Sequence, residues 1–534
     1  MNRFDKNDFG ITSPLRLLVM VCVASNTLNL TVNAENWPSW RGPDSRGESN
    51  ANPPIHWSTT QNVLWRKPIP GQGKSTPILW GEQMFLVTAI PKLEREKESL
   101  ETDASPLESP IASETLTKSD ASEAGSKIDQ SQQYGWWVLS LDQRTGIENW
   151  RTRLASGFPL EPGHPTNSLA SGSPVTDGKF LYVSLGSYGV FCVDLAGTLI
   201  WKRSLGDMQT RFGFGEASTP AVYEKTLIVP WDHEGDSAVF ALDTSSGQTL
   251  WKTLRDEPTA WSTPLIVNQQ TDPQVILNGI TVISYRLSDG EPLWSLAQEG
   301  VNPITCPIRD DDLALVMLGY RGYAINAVDL RASPDKMGNP VIRWNHFDTG
   351  PYVASAAICE DKLFVTKGLQ GIVSVIDTAT GEMLQSNRRY EKLGTLYASP
   401  LAITPKLHRE PKLQSEPKLQ SEPKLQSEPK LHRELEIHRE LEIHSERDVE
   451  QEPKPTNKLP HEIEDAKSEN LPRIYYCTRD GTTVVIHARE PFEVLAVNQL
   501  DDPIDASPVA NDRRLFLRTS QHLYCLENPE EPSR

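Results

Sequence analysis

A small residue followed by proline returns through this chain at a nearly constant interval, and that interval limits the fold more than any other feature. Pro174, Pro220, Pro264 and Pro307 lie 46, 44 and 43 residues apart. The same opening recurs at Thr76-Pro77, Ser399-Pro400 and Ser507-Pro508, with a degenerate Ser355-Ala356. Residues 172–205 and 218–254 align along their whole length: strand-like runs, a glycine turn, then Trp-Lys. A period of this size with several short strands per unit fits a four-stranded propeller blade.

The closing half of each unit has a physical logic. In Asp142-x-x-Thr-Gly146 and Asp243-x-x-Ser-Gly247 the aspartate can accept backbone N–H groups while glycine takes a positive φ. Tryptophan follows four residues later, from Gly146 to Trp150, Gly197 to Trp201, Gly247 to Trp251 and Gly290 to Trp294. A constant step puts each ring at one place on the last strand. These indoles, with Trp65 and Trp344, are expected to fill the seams between blades, each N–H finding a backbone partner. Gln385 stands in the sixth unit where tryptophan would be.

The proline starts number eight, at 77, 174, 220, 264, 307, 356, 400 and 508. The eighth unit has no Trp-Lys strand, and "NVLWRKP" near the other end supplies one. The expected fold is therefore all-β: an eight-bladed propeller of four-stranded antiparallel blades over 63–528, its last blade completed by an N-terminal strand. Such closure hides the edges an open sheet would expose. Residues 35–62 form an N-terminal extension and 529–534 a tail.

Two gaps exceed the period, and each holds a segment without an aromatic residue, 91–133 and 404–471. These Ser/Glu-rich and "EPKLQS"/"HRELEI" stretches cannot bury enough apolar surface to offset chain entropy, and are read as disordered inserts. His432, His438 and His444 are six apart, out of line for i,i+4 metal ligands. At the N-terminus Arg3, Lys6 and Arg16 precede the apolar run Leu17 to Ala24, and Val32-Asn33-Ala34 suits cleavage before Glu35. Residues 1–34 thus read as a secretory signal, and no later run is long enough to span a membrane. The expected location is periplasmic or secreted, and the expected state a monomer.

Several chemistries are disfavoured. The net charge of −18 argues against nucleic-acid binding. "GQGKST" (71–76) ends like a phosphate loop, but the first glycine of that pattern would fall at Pro68, and Pro77 opposes the helix it needs. It reads instead as the lead-in to a blade, with Lys74 a surface cation on the rim. Cys192, Cys306, Cys359, Cys477 and Cys525 are scattered, and buried free thiols are expected.

The Asp-x-x-Thr-Gly-x-x-x-Trp units at Asp142–Trp150 and Asp243–Trp251, with the opening "WPSWRGP", resemble the PQQ-like β-propeller family, including secreted bacterial proteins similar to the outer-membrane assembly factor BamB. The resemblance covers nearly the whole mature chain apart from the inserts. It implies the fold firmly and the function weakly, because such blades serve dehydrogenases, assembly scaffolds and sensor modules. Many quinoprotein alcohol dehydrogenases of this family carry a vicinal Cys-Cys disulfide and some a haem domain. This chain has neither adjacent cysteines nor a haem-attachment motif.

One face should collect the loops leading into each blade and those joining its two middle strands. There the sequence places Lys74, His164, Arg211, Trp261, Tyr352 and Tyr397, with Asp232, His233, Glu234, Tyr320 and Arg321. Arg211, Asp232, His233 and Trp261 are the candidates for facing a cofactor in the funnel; Lys74, Tyr320, Arg321, Tyr352 and Tyr397 those for meeting a partner. "WDHEGDS" (231–237) has no ligand spacing and reads first as a solvated Asx-type loop. The resulting expectation is a non-enzymatic scaffold that binds protein partners of the cell envelope, without catalytic residues, metal or cofactor. The alternative is a PQQ- and calcium-dependent oxidoreductase or a quinone binder.

Overall fold

The computed structural model describes residues 36–92, 128–268, 272–405 and 471–528. The signal segment, most of both inserts (His432, His438 and His444 included) and the C-terminal tail lie outside the described residues. Eight antiparallel four-stranded sheets stand as blades, and each first strand begins one residue after its blade proline or, in blade 6, after Ala356. Blade 1 runs through Ile78–Trp80, Gln83–Pro91, Tyr134–Asp142 and Glu148–Gly157. Blades 2 to 7 follow in chain order. Blade 8 takes Val509–Asn511, Arg514–Arg518 and His522–Glu527 from the C-terminal end, and Val63–Pro68 as its outer strand. Trp65 pairs with Cys525 there, as the sequence required.

Burial follows from the stacking. The second strand of blade 5, Leu313–Leu318, is buried throughout because neighbouring blades cover both faces. An outer strand such as Thr249–Leu254 alternates between exposed and half-buried positions. The core lies in the seams, as where Ile308, Leu315 and Met317 of blade 5 meet Ile358, Leu363 and Val365 of blade 6.

The indoles bridge these seams. The Nε1–H of Trp65 donates to Gln143 O, Trp150 to Leu195 O, Trp201 to Thr244 O, Trp251 to Leu287 O and Trp344 to Thr378 O, each on the next blade. Every one of these rings lies on the next blade's turn glycine. A Cβ added at Gly146 would stand 2.8 Å from Trp65, and one at Gly247 2.6 Å from Trp201. Trp294 differs: its ring packs toward blade 5, but its N–H returns to Gln274 Oε1 of its own blade at 3.2 Å. Blade 5 has no Asp-x-x-Thr-Gly turn to receive it.

Residues 36–62 form a strap whose role was not legible in advance. Trp37 bridges to Leu79 of blade 1. The buried Arg41 guanidinium donates to Ala356 O at 2.6 Å and Pro400 O at 2.9 Å, and burial lowers its pKa to about 10. Glu48–Ser49 then adds a parallel fifth strand inside blade 7, and Trp57 stacks on Tyr475 with ring centroids 6.1 Å apart. The closing strand is thus preceded by a segment tied to blades 1, 6, 7 and 8.

Candidate functional site

Two rings of side chains surround the axis, both fixed by position relative to the blade prolines. The residue just before each proline is Thr76, Ser173, Thr219, Thr263, Cys306, Ser355, Ser399 or Ser507. Its backbone N–H reaches the side chain of its counterpart on the next blade in seven of the eight steps, ending with Ser507 N–H on Thr76 Oγ1 at 3.1 Å. The first strands therefore converge on a ring of hydrogen bonds interrupted between blades 3 and 4, made by residues small enough to fit at the crowded centre.

Two residues earlier stands a second ring, which lines a funnel of ≈ 220 Å³. Blades 1 to 4 contribute Lys74, Ser171, Ala217 and Trp261; blades 5 to 8 contribute Ile304, Val353, Tyr397 and Asp505. Unlike the hydroxyl ring, this one is irregular. Aromatic and apolar groups gather over blades 4 to 6, and charge over blades 8 and 1. Trp40 of the strap floors the funnel, its Nε1–H on Ser507 Oγ at 3.1 Å, and it also lines a cavity on the opposite face, so it separates the two.

The charged sector is tightly arranged. Asp505 accepts from Lys74 Nζ at 2.6 Å and Arg479 Nε at 2.8 Å, while Lys74 also donates to Thr166 O. Burial lowers the Lys74 pKa, against which Asp505 acts to raise it. Lys74 is thus a wall of the funnel and not the solvated rim cation expected from sequence. The Arg479 guanidinium lies 4.5 Å from the Tyr397 ring centroid. His164 bonds Thr166 Oγ1 at 2.7 Å, and burial, with Lys74 and Arg479 nearby, holds its pKa down.

The "GQGKST" stretch has a structural reason. Arg518, fully buried, donates to Ser75 O at 2.8 Å, Ser75 Oγ at 2.6 Å and Val87 O at 2.9 Å, and burial lowers its pKa to about 9. A Cβ on Gly73 would stand 2.5 Å from that guanidinium. Glycine is there for an arginine, not for a phosphate.

The other candidates divide. Tyr352 lines the funnel, and Tyr320 stacks on it with centroids 4.4 Å apart under the Arg321 guanidinium. Phe214 and Trp261 stack at 6.4 Å beside them. Arg211 sits on the rim over the Phe212 ring; Phe212 is 76% exposed and has φ 55°. Asp232 and His233 do not reach the funnel. Asp232 is buried against the Arg255 guanidinium at 2.8 Å, with its pKa raised by burial and held back by that arginine. His233 is 6% exposed and its Nδ1 accepts the N–H groups of Gln209 and Gly235. The loop expected to be solvated closes on itself because Arg255, on the neighbouring strand end, supplies a buried countercharge. Asp232 lines instead a small off-axis cavity of ≈ 80 Å³ shared with Glu161 and Glu216. Sequence reasoning passed over Asn302, Phe214, Arg479, Asp505 and Trp40; counting three residues back from each proline would have found Asp505.

A quinone held by calcium does not fit the funnel side chains. Asp505, the carboxylate of the funnel ring, is already shared by two cations, and among the described residues no three His, Cys, Asp or Glu side chains are grouped to hold a metal. No helix among the described residues is long and apolar enough to cross a membrane.

Comparison with known proteins agrees with this architecture. Residues 136–387 match the family described as outer membrane protein assembly factor BamB. A curated relative, outer membrane protein assembly factor BamB of Burkholderia pseudomallei (strain K96243), is 23% identical over 258 residues, covering 47% of this chain and 60% of its own length. Among solved structures, a europium-containing methanol dehydrogenase aligns at 8% identity and a TM-score of 0.53, over 92% of this chain and 98% of its own. BamB from Moraxella catarrhalis aligns at 12% identity and a TM-score of 0.45, over 73% and 91%. At 8% identity the methanol dehydrogenase speaks for fold alone.

Proposed function

Since the repeats of this chain belong to the PQQ-like propeller family, we propose that the ring is a non-enzymatic scaffold of the cell envelope that docks protein partners on its funnel face. The observation that carries this reading is the rim. Phe212 stands 76% exposed on a left-handed backbone beside Arg211, and the Tyr320–Tyr352 stack lies under Arg321. Exposed aromatic and arginine side chains on a rigid support are the usual anchors of protein interfaces. The relative named as an envelope assembly factor supports the location and the docking role, and the signal-like segment 1–34 supports export.

Affinity capture from the native envelope fraction tests this. The wild-type chain should retain a partner that is lost from a Phe212→Ser/Tyr320→Ala/Arg321→Glu variant with an unchanged melting temperature. Capture that ignores the rim changes would overturn the reading.

A further inference from the structure

One side chain in the funnel is held in an unfinished state. Asn302, 8% exposed, sits at φ 54° in the lead-in to blade 5. Its Nδ2 stands 3.5 Å from the Tyr352 hydroxyl, and its Oδ1 is buried without a partner. Turning the amide over exchanges the two atoms and leaves the other polar end unmatched. A buried, half-satisfied amide on a left-handed backbone is costly, and such tension persists where a ligand relieves it. What relieves an amide at both ends is another amide, which offers a donor and an acceptor together.

The rest of the funnel narrows the ligand. Lys74 and Arg479 share the single carboxylate of Asp505, which leaves this sector with one uncancelled positive charge. An ammonium ligand is therefore opposed, although the aromatic walls alone would suit one. The stacked Phe214 and Trp261 offer a flat apolar wall. At ≈ 220 Å³ the space exceeds the cavity of about 150 Å³ known to hold benzene, leaving room for a ring and a peptide group.

Resting on the docking reading above, we infer that the funnel takes one aromatic side chain of an extended peptide whose next residue is acidic: the ring against Trp261 and Phe214, the peptide amide on Asn302, and the carboxylate across the axis toward Lys74 and Arg479. The rim then provides area, and the funnel selects the sequence that enters.

Calorimetric titration of the full chain with acetyl-Gly-Phe-Glu-Gly-amide tests this. Binding at millimolar concentration is expected, weaker by about tenfold when lysine replaces the glutamate or alanine the phenylalanine. Asn302→Gly suits the left-handed backbone, so it removes the amide while sparing the fold, and should weaken binding about tenfold with an unchanged melting temperature. Equal binding of the three peptides, no binding at all, or full affinity in Asn302→Gly would overturn the inference. So would uptake of free PQQ, followed by Trp261 fluorescence, without uptake of the peptide. Should rim-dependent capture of an envelope partner persist when the peptide fails, the inference falls and the docking function stands. Loss of both would remove the two together.

Discussion

The perimeter and the axis of this ring are stitched by opposite chemistry. Outside, large indoles lie on the turn glycines of the next blade and donate to its carbonyls, as Trp65 does over Gly146. At the centre, hydroxyls and one thiol accept N–H groups from blade to blade, as Ser507 Oγ accepts from Ser399. The outer seams are separate and tolerate loss: Trp294 turns home, and Gln385 bonds Val373 O and Tyr390 instead of the next blade. The axial seam links seven of its eight steps, all but the one from Thr219 to Thr263. Large groups at the edge set stability, while small groups at the centre set registration and leave the space above them free for a ligand.

Removing residues 36–68 should have the largest effect, because it breaks perimeter and axis together. Blade 8 loses its outer strand and Trp65, and the buried Trp37, Arg41 and Trp57 are lost with the strap. Calorimetry should show no cooperative transition. A monomeric truncation that melts sharply would mean the ring does not need this closure.

Trp65→Ala comes next, at about 3 kcal/mol, since it empties the space over Gly146 and strands Gln143 O. Urea unfolding measures it; a loss below ~1 kcal/mol would deny the perimeter its leading role.

Between blades 2 and 3 a carboxyl supplements the seam. Glu216 accepts the N–H and hydroxyl of Ser187, and burial raises its pKa from 4.5 to about 7. A carboxyl that holds its proton more tightly when folded contributes stability below its unfolded value, and that contribution is lost as pH rises through about 7. Wild-type stability should therefore fall by roughly 2 kcal/mol from pH 4.5 to 8 relative to Glu216→Gln. Parallel pH profiles for the two proteins would contradict this.

Ser399→Ala should be the mildest, about 1 kcal/mol, the cost of leaving the buried Ser355 N–H without its acceptor. A loss matching that of Trp65→Ala would reverse the ranking of centre and edge.

The perimeter was legible in the sequence because its logic is local: a turn, four residues, an indole. The blade number and the closing strand followed from the same spacing. The axis was only half legible. The small residue before each proline was visible, but its partner lies one blade away. The strap was not legible at all, since Arg41 meets Pro400 across 359 residues with no local pattern to announce it. Asp232 and His233 were misplaced for a related reason. An acidic loop looks solvated until the fold brings Arg255 into it.

If the periodic positions carry the fold and the irregular ring above them carries the function, a photoreactive benzoylphenylalanine should separate the two faces. Placed at Tyr397 on the funnel, it should crosslink a discrete partner in the native envelope. Placed at Tyr223, beside the cavity on the opposite face, it should give none. A partner captured from Tyr223 and not from Tyr397 would contradict the account.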